Sequence, residues 1–311
     1  MIDPIKPGLK LPQCGLRLSF NRSTKTKDQA ILLKQSNHRI PIVMYHSISR
    51  HAQPRFRKYA LSPASFAEQM AYLARQDYET FTVSQYVKSR TANIPLPERA
   101  VVLTFDDGFA DFFEEALPIL QHYGMVATIY ISTAFVNGTS RFLQREQEID
   151  RLMLTWEQLI EISASGVECG AHSHRHLQLD VVPMNIARAE ITHCKEILEE
   201  KLNQTITSFA YPYGYYRLAV QNLVREAGYQ SACAVRYAMS SPTDDIFALS
   251  RLIVPGDTNL QKFAELLVGR GPQIKPAYER LRAFAWRGAR YSLGVMKQGL
   301  HGRKQHDPSY V

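Results

Sequence analysis

The sequence predicts an α/β fold in which a mostly parallel sheet closes into a barrel, and three observations lead there. Apolar runs of strand length recur between residues 40 and 254. They are nearly continuous and not alternating, as in strands covered on both faces. Helix-start signals stand between the runs, and such alternation builds parallel sheets. Finally, His46, Asp106-Asp107, His172–His176, Tyr213 and Arg251 fall at or just past the ends of the runs. An open sheet spreads strand ends along a line, whereas a barrel gathers them on one face.

In chain order the expected strands are Ile40–Tyr45, Thr80–Val83, Val101–Phe105, Val126–Ser132, Val167–Ala171, Ile206–Tyr211, Tyr229–Val235 and Phe247–Val254. Ser62-Pro63 supplies a cap and a first-turn proline for a helix with Phe66, Met70 and Leu73 on one face. Thr155-Trp156-Glu157-Gln158 fits a capping box, in which Thr155 and Gln158 satisfy each other's main-chain amides. Residues 184–202 place Ile186, Ala189, Ile197 and Leu198 near helical spacing, with Glu and Lys opposite. No internal repeat or low-complexity tract interrupts the pattern.

At 311 residues, with 45% apolar and 21% charged side chains, the chain can bury a sizeable core. Its net charge of +8 belongs to the two ends. Residues 1–38 carry seven Lys or Arg against two acids, residues 270–311 carry nine against two, and the middle is net −4. That distribution argues against a nucleic-acid groove in the fold. Residues 1–38 are expected to form a basic arm, 39–265 the barrel domain, and 266–311 a basic, partly amphipathic extension. Tyr278–Tyr291 interleaves arginines with aromatic residues. It reads either as a helix on the barrel's exterior or as a peripheral contact with an anionic membrane. The start lacks the charged segment and apolar run of a signal peptide, and no stretch has the length of a membrane span. The expected location is therefore the cytoplasm, with peripheral contact at the inner face of the membrane as an option. Cys14, Cys169, Cys194 and Cys233 show no CxxC spacing and read as reduced thiols. Cys169, three residues before His172, is a weaker candidate ligand.

Two motifs carry the chemistry. Thr104-Phe105-Asp106-Asp107-Gly108 ends an apolar run with two adjacent carboxylates. Their repulsion needs a cation or a proton to offset it, although Asp-Asp-Gly is also a good turn sequence. In His172-Ser173-His174-Arg175-His176 the outer histidines are four apart, a spacing that lets both reach one ion. His174 would point elsewhere. One Asp with two His supplies three N/O ligands and leaves a position for water or substrate, as in catalytic metal sites. The other carboxylate is then free to act as a base.

These motifs resemble the polysaccharide deacetylase family (carbohydrate esterase family 4, the NodB homology domain) over roughly residues 39–260. Phe209-Ala210-Tyr211-Pro212-Tyr213-Gly214, and Leu154–Leu159 leading into Gly166–His172, extend the likeness. The resemblance implies a distorted (β/α) barrel of about seven strands. It implies Asp106 as general base, Asp107, His172 and His176 as ligands of a divalent metal, most readily Zn2+, and the Tyr213 N–H as an oxyanion donor. Tyr211, Pro212, Tyr213 and Trp156 are expected to meet the substrate.

Two departures from the family pattern stand out. Ala210 occupies the place of a frequent arginine that steadies the base, and Leu249-Ser250-Arg251 replaces a frequent Leu-x-His. Arg251 is expected to reach Asp106 instead, with a surface arginine as the alternative. His46, in a Val43–His46 segment resembling poly-N-acetylglucosamine-type deacetylases, could supply the missing acid or bind substrate. The expected activity is metal-dependent removal of N-acetyl groups from amino sugars in a polysaccharide, oligosaccharide or lipid-linked glycan. A non-catalytic glycan-binding relative and a hydrolase of a non-sugar amide are the alternatives.

Overall fold

The computed structural model describes residues 39–270. The arm at 1–38 and the stretch 278–291 lie outside the described residues. The elements, in chain order, begin with β1 (Ile42–Tyr45), β2 (Ser47–Ile48), β3 (Ala60–Leu61), α1 (Pro63–Arg75), β4 (Glu79–Phe81), α2 (Val83–Thr91) and β5 (Ala100–Phe105). There follow α3 (Leu117–His122), β6 (Thr128–Ile131), α4 (Trp156–Ala164), β7 (Glu168–Ala171), α5 (Met184–Leu202) and β8 (Ser208–Ala210). The last are α6 (Leu218–Glu226), β9 (Ser231–Cys233), β10 (Leu252–Ile253) and α7 (Leu260–Leu267).

Eight strands form one sheet in the order β10-β1-β5-β6-β7-β8-β9, with β4 also on β5. All of these pairings are parallel. β5 has a divided edge: Ala100–Val102 pair with β4, and Thr104–Phe105 pair with β6. The segment entering β10 closes the ring, because Leu249 bridges Cys233 of β9 while Leu252 and Ile253 pair with β1. The result is the distorted barrel that the alternating pattern predicts.

Side-chain alternation along these strands makes two cores. Val101, Leu103 and Phe105 of β5 face outward and pack with Tyr45, Ile129, Phe209 and the helices in the larger cluster. Val102 faces inward with Ile42, Tyr130, Ala210, Cys233 and Leu249, and Val83, Tyr86 and Val87 of α2 pack against this inner cluster. By the same period of two, Thr104 and Asp106 belong to the inner face.

The expected Thr80–Val83 strand stops at Phe81, because Thr82 caps α2. Its Oγ1 accepts from the Gln85 N–H at 3.2 Å, and Gln85 Oε1 accepts from the Thr82 N–H at 2.9 Å. Ser62 caps α1, and the capping box at Thr155 forms with both of its hydrogen bonds. The run Phe247–Val254 forms a strand only at Leu252–Ile253. α7 carries folded chain past the expected boundary at 265, since Leu266 and Leu267 are buried. No helix among the described residues is long and apolar enough to cross a membrane.

Candidate active site

Asp106 and Asp107 directly follow β5, and both are 4% exposed. Asp106 continues the inward face of the strand. Asp107 leaves the strand conformation with φ 79°, and Gly108 follows at φ 84°. The left-handed step costs about 1 kcal/mol or more for a non-glycine residue. Here it turns two consecutive carboxylates toward different partners.

Arg251 holds Asp106. Its Nη1 donates to Asp106 Oδ1 at 2.6 Å and its Nη2 to Oδ2 at 2.8 Å, a bidentate fork with both side chains buried. Arg251 Nε also donates to the Ala234 carbonyl at 3.3 Å, and the guanidinium lies 5.6 Å from the centre of the Tyr130 ring. The sequence suggests a position at or past a strand end. Arg251 instead precedes β10 and enters from the barrel interior. Burial alone would raise the Asp106 carboxyl, but Arg251 and then His172 outweigh it and hold the group below the ordinary carboxylate range.

Asp107 faces two histidines. Its Oδ1 lies 3.4 Å from His172 Nε2 and 3.2 Å from His176 Nε2. Burial opposes the Asp107 charge, yet His176 and His172 pull the group well below its usual range. The donor atoms of Asp107, His172 and His176 all lie within 4.8 Å of one another, and the three residues are buried. His172 Nδ1 is 2.8 Å from the Ala210 carbonyl and must donate to it, which turns Nε2 toward Asp107. His176 Nδ1 is buried without a protein partner. The set fits a divalent transition ion: two imidazoles and a carboxylate, with the tautomer of His172 fixed by a carbonyl.

The His172–His176 loop is itself unusual, with Ser173 at φ 61° and His176 at φ 55°. His174 turns away from the cluster, with Nδ1 2.9 Å from Thr133 Oγ1 and its ring 4.8 Å from that of His193. Cys169 lies in the outer core, where burial pushes its thiol up to about 12, and it is not part of the donor group. Cys169, Cys194 and Cys233 are all buried free thiols.

Tyr213 sits in the turn after β8 with φ 61°, 47% exposed, its ring 4.7 Å from that of His176. Gly214, at φ 71°, is required there, since a Cβ would stand 2.5 Å from Val235 Cβ. Two of the expected substrate contacts are buried here. Tyr211 is fully buried and its hydroxyl donates to the Phe247 carbonyl at 3.0 Å, and Pro212 is buried beneath the same turn. Both shape the turn from within. Trp156 is the first residue of α4 and is half-buried against the outer core, which spends much of its ring on packing. His46 follows β1, with its ring 5.0 Å from that of Tyr59 and a buried, unpartnered Nδ1. Burial holds it below the ordinary imidazole value despite the pull of Asp107 and Asp106.

Sequence reading missed Tyr59 and Phe142. The Phe142 ring lies 4.6 Å from that of His176. Tyr59 ends a short 3-10 turn (Arg57–Tyr59) and Phe142 lies in a loop, and both pack beside the small core of Phe56, Phe109, Leu143 and Met153. Asp111 braces these segments by accepting from Ser47 Oγ at 2.6 Å and Arg151 Nη1 at 3.1 Å. Nothing in an aperiodic stretch marks such aromatic residues as site neighbours.

A parallel barrel with a donor group at its strand ends that could hold a cation, and a second carboxylate engaged by a guanidinium, is an arrangement suited to hydrolysis. Comparison with known proteins narrows the class. Residues 93–232 match the profile of the family described as polysaccharide deacetylase. Protein YxkH of Bacillus subtilis is 28% identical over 219 residues, covering 70% of this chain and 72% of that one. The poly-beta-1,6-N-acetyl-D-glucosamine N-deacetylase of Escherichia coli K12 is 24% identical over 258 residues, which is 73% of this chain but 38% of that one. In fold, the chain is similar to the Streptococcus pyogenes deacetylase PplD, with TM-score 0.64, 22% identity, and coverage of 74% of this chain and 98% of that one. Over residues 93–232 the chain is thus similar to the polysaccharide deacetylase family.

Proposed function

We propose that the chain hydrolyses N-acetyl groups on amino sugars of a polysaccharide, using a divalent ion held by Asp107, His172 and His176. Zinc suits this donor set best. A bound ion would lower the pKa of water and polarise the amide carbonyl.

The chain's own groups carry the remaining roles. Asp106, kept ionised by Arg251, takes a proton from the attacking water as its oxygen bonds to the acetamide carbon. The Tyr213 N–H donates to the carbonyl oxygen as negative charge grows there. The C–N bond then breaks, acetate leaves, and the sugar nitrogen receives the proton that Asp106 took. Burial disfavours a charge on His46, and its role in this reading is to hydrogen-bond the substrate and not to deliver the proton. The exposed ring of Tyr213, beside His176, offers a face for a sugar ring.

The observation that carries this reading is the pair of separate arrangements around two adjacent carboxylates: donors within 4.8 Å around Asp107 and a bidentate guanidinium on Asp106. The relatives' activity on poly-beta-1,6-N-acetyl-D-glucosamine makes that polymer the first substrate to test. Purified chain with zinc is expected to release acetate and new amines from such oligomers, and chelation is expected to stop it. If several acetylated glycans and lipid-linked amino sugars yield no metal-dependent acetate, the reading fails and a glycan-binding role replaces it.

A further inference from the structure

The metal-donor loop contains two strained residues, and something must hold them. Ser173 and His176 are non-glycine residues in the left-handed region, a conformation that L side chains adopt rarely and at a cost. From one side, the chain after β6 takes hold of the loop's first half. Ser132 Oγ donates to the His172 carbonyl at 3.0 Å, and the Ala134 N–H donates to the His174 carbonyl at 2.8 Å.

The other side is a single residue of α5. Glu190 is 1% exposed and lies on the stripe of Ala187, Ile191, Cys194 and Leu198, a position otherwise apolar. A carboxylate there is costly unless it is fully engaged. It is engaged by the loop: Glu190 Oε2 accepts from the Arg175 main-chain N–H at 2.6 Å, and Oε1 accepts from Arg175 Nε at 2.6 Å. The Glu190 main-chain carbonyl accepts from the His174 N–H at 3.1 Å. The grip thus falls on the two residues immediately before His176. Arg175 is 55% exposed while Glu190 is buried, so the arrangement is not an ordinary surface ion pair.

We propose that Glu190 is a positioning residue that locks the His172–His176 loop in its donor conformation and thereby sets metal affinity; this rests on the metal-dependent reading above. The main-chain bond to Arg175 orients His176, and the side-chain bond to Nε completes the pairing of a charge that is otherwise stranded in the core.

The test measures zinc affinity of the full-length chain by competition with a chromophoric chelator, and the visible spectrum of the cobalt(II)-loaded chain as a report on ligand geometry. Glu190→Ala is expected to weaken zinc binding about 10–100-fold and to alter the cobalt spectrum. Glu190→Gln keeps one acceptor and is expected to recover part of that loss. Leu198→Ala, buried on the same helix two turns away, is expected to lower thermal stability while leaving affinity and spectrum unchanged. The proposal is overturned if both Glu190 variants bind and absorb like wild type, or if Leu198→Ala loses affinity to the same degree. Should Glu190→Ala fail to fold, Glu190→Gln against Leu198→Ala decides by the same criteria. A wild-type chain that takes up neither metal overturns the metal reading together with this proposal, whereas indifferent Glu190 variants in a metal-binding chain overturn this proposal alone.

Discussion

Asp106 and Asp107 are neighbours in sequence with opposite surroundings: one is clamped by a guanidinium, the other faces two imidazoles. Their substitutions should therefore separate. Asp107→Asn is expected to abolish metal uptake. Asp106→Asn is expected to retain uptake while kcat falls about 10²–10⁴-fold, the usual range for losing a general base. Metal analysis alongside acetate release checks both. Arg251 adds a pH dependence. The base works only when ionised, so activity is lost as pH falls through its folded pKa. With Arg251 present that pKa lies below the ordinary carboxylate range, and without it burial dominates. The acidic limb of the pH–rate profile should accordingly move to higher pH in Arg251→Ala, and an unmoved limb would show that the fork does not tune the base. For His46→Ala the expectation is a raised KM with both limbs kept, and loss of a limb would return the acid role to His46.

At the level of single elements, the turn after β8 decides whether Tyr213 meets the site. Gly214→Ala combines a φ of 71° with a Cβ 2.5 Å from Val235 Cβ. The expected cost is about 1–3 kcal/mol, with displacement of the turn. Activity should fall further than stability alone explains, which kinetics and thermal unfolding on the same preparation would compare. The helix starts at Ser62 and Thr155 were legible because caps are local: side chain and amide lie within three residues of each other. Thr82–Gln85 forms the same box, yet the apolar Thr80–Val83 run masked it, since continuous apolarity does not separate a strand end from a helix start. Glu190 was legible in principle, as a lone charge on the apolar stripe of α5. Its partner was not, because the contact to Arg175 closes across 15 residues of loop and helix.

For the whole molecule, the donor group joins the end of β5 to the loop after β7. An ion bound there stabilises only the folded chain, by about 2.7 kcal/mol at a hundredfold excess over Kd. Chelation is therefore expected to lower Tm by roughly 5–10 °C for a domain of this size. Asp107→Asn should abolish that shift, and a shift that persists in the variant would place the ion elsewhere.

The sequence by itself determined the alternation of strands and helices, the two aspartates at a strand end and the spaced histidines. Each of these is a short-range pattern set by backbone period or by neighbouring side chains. Only the tertiary structure decided that Arg251 is buried on Asp106 and not at the surface, that Tyr211 is buried while Tyr213 is exposed, and that Glu190 grips the histidine loop. Those outcomes depend on how the barrel closes between Leu249 and β9 and on left-handed steps at Asp107, Ser173, His176 and Tyr213. The surrounding packing compensates for such strained conformations, and the residues' own preferences run against them, so no local signal announces them.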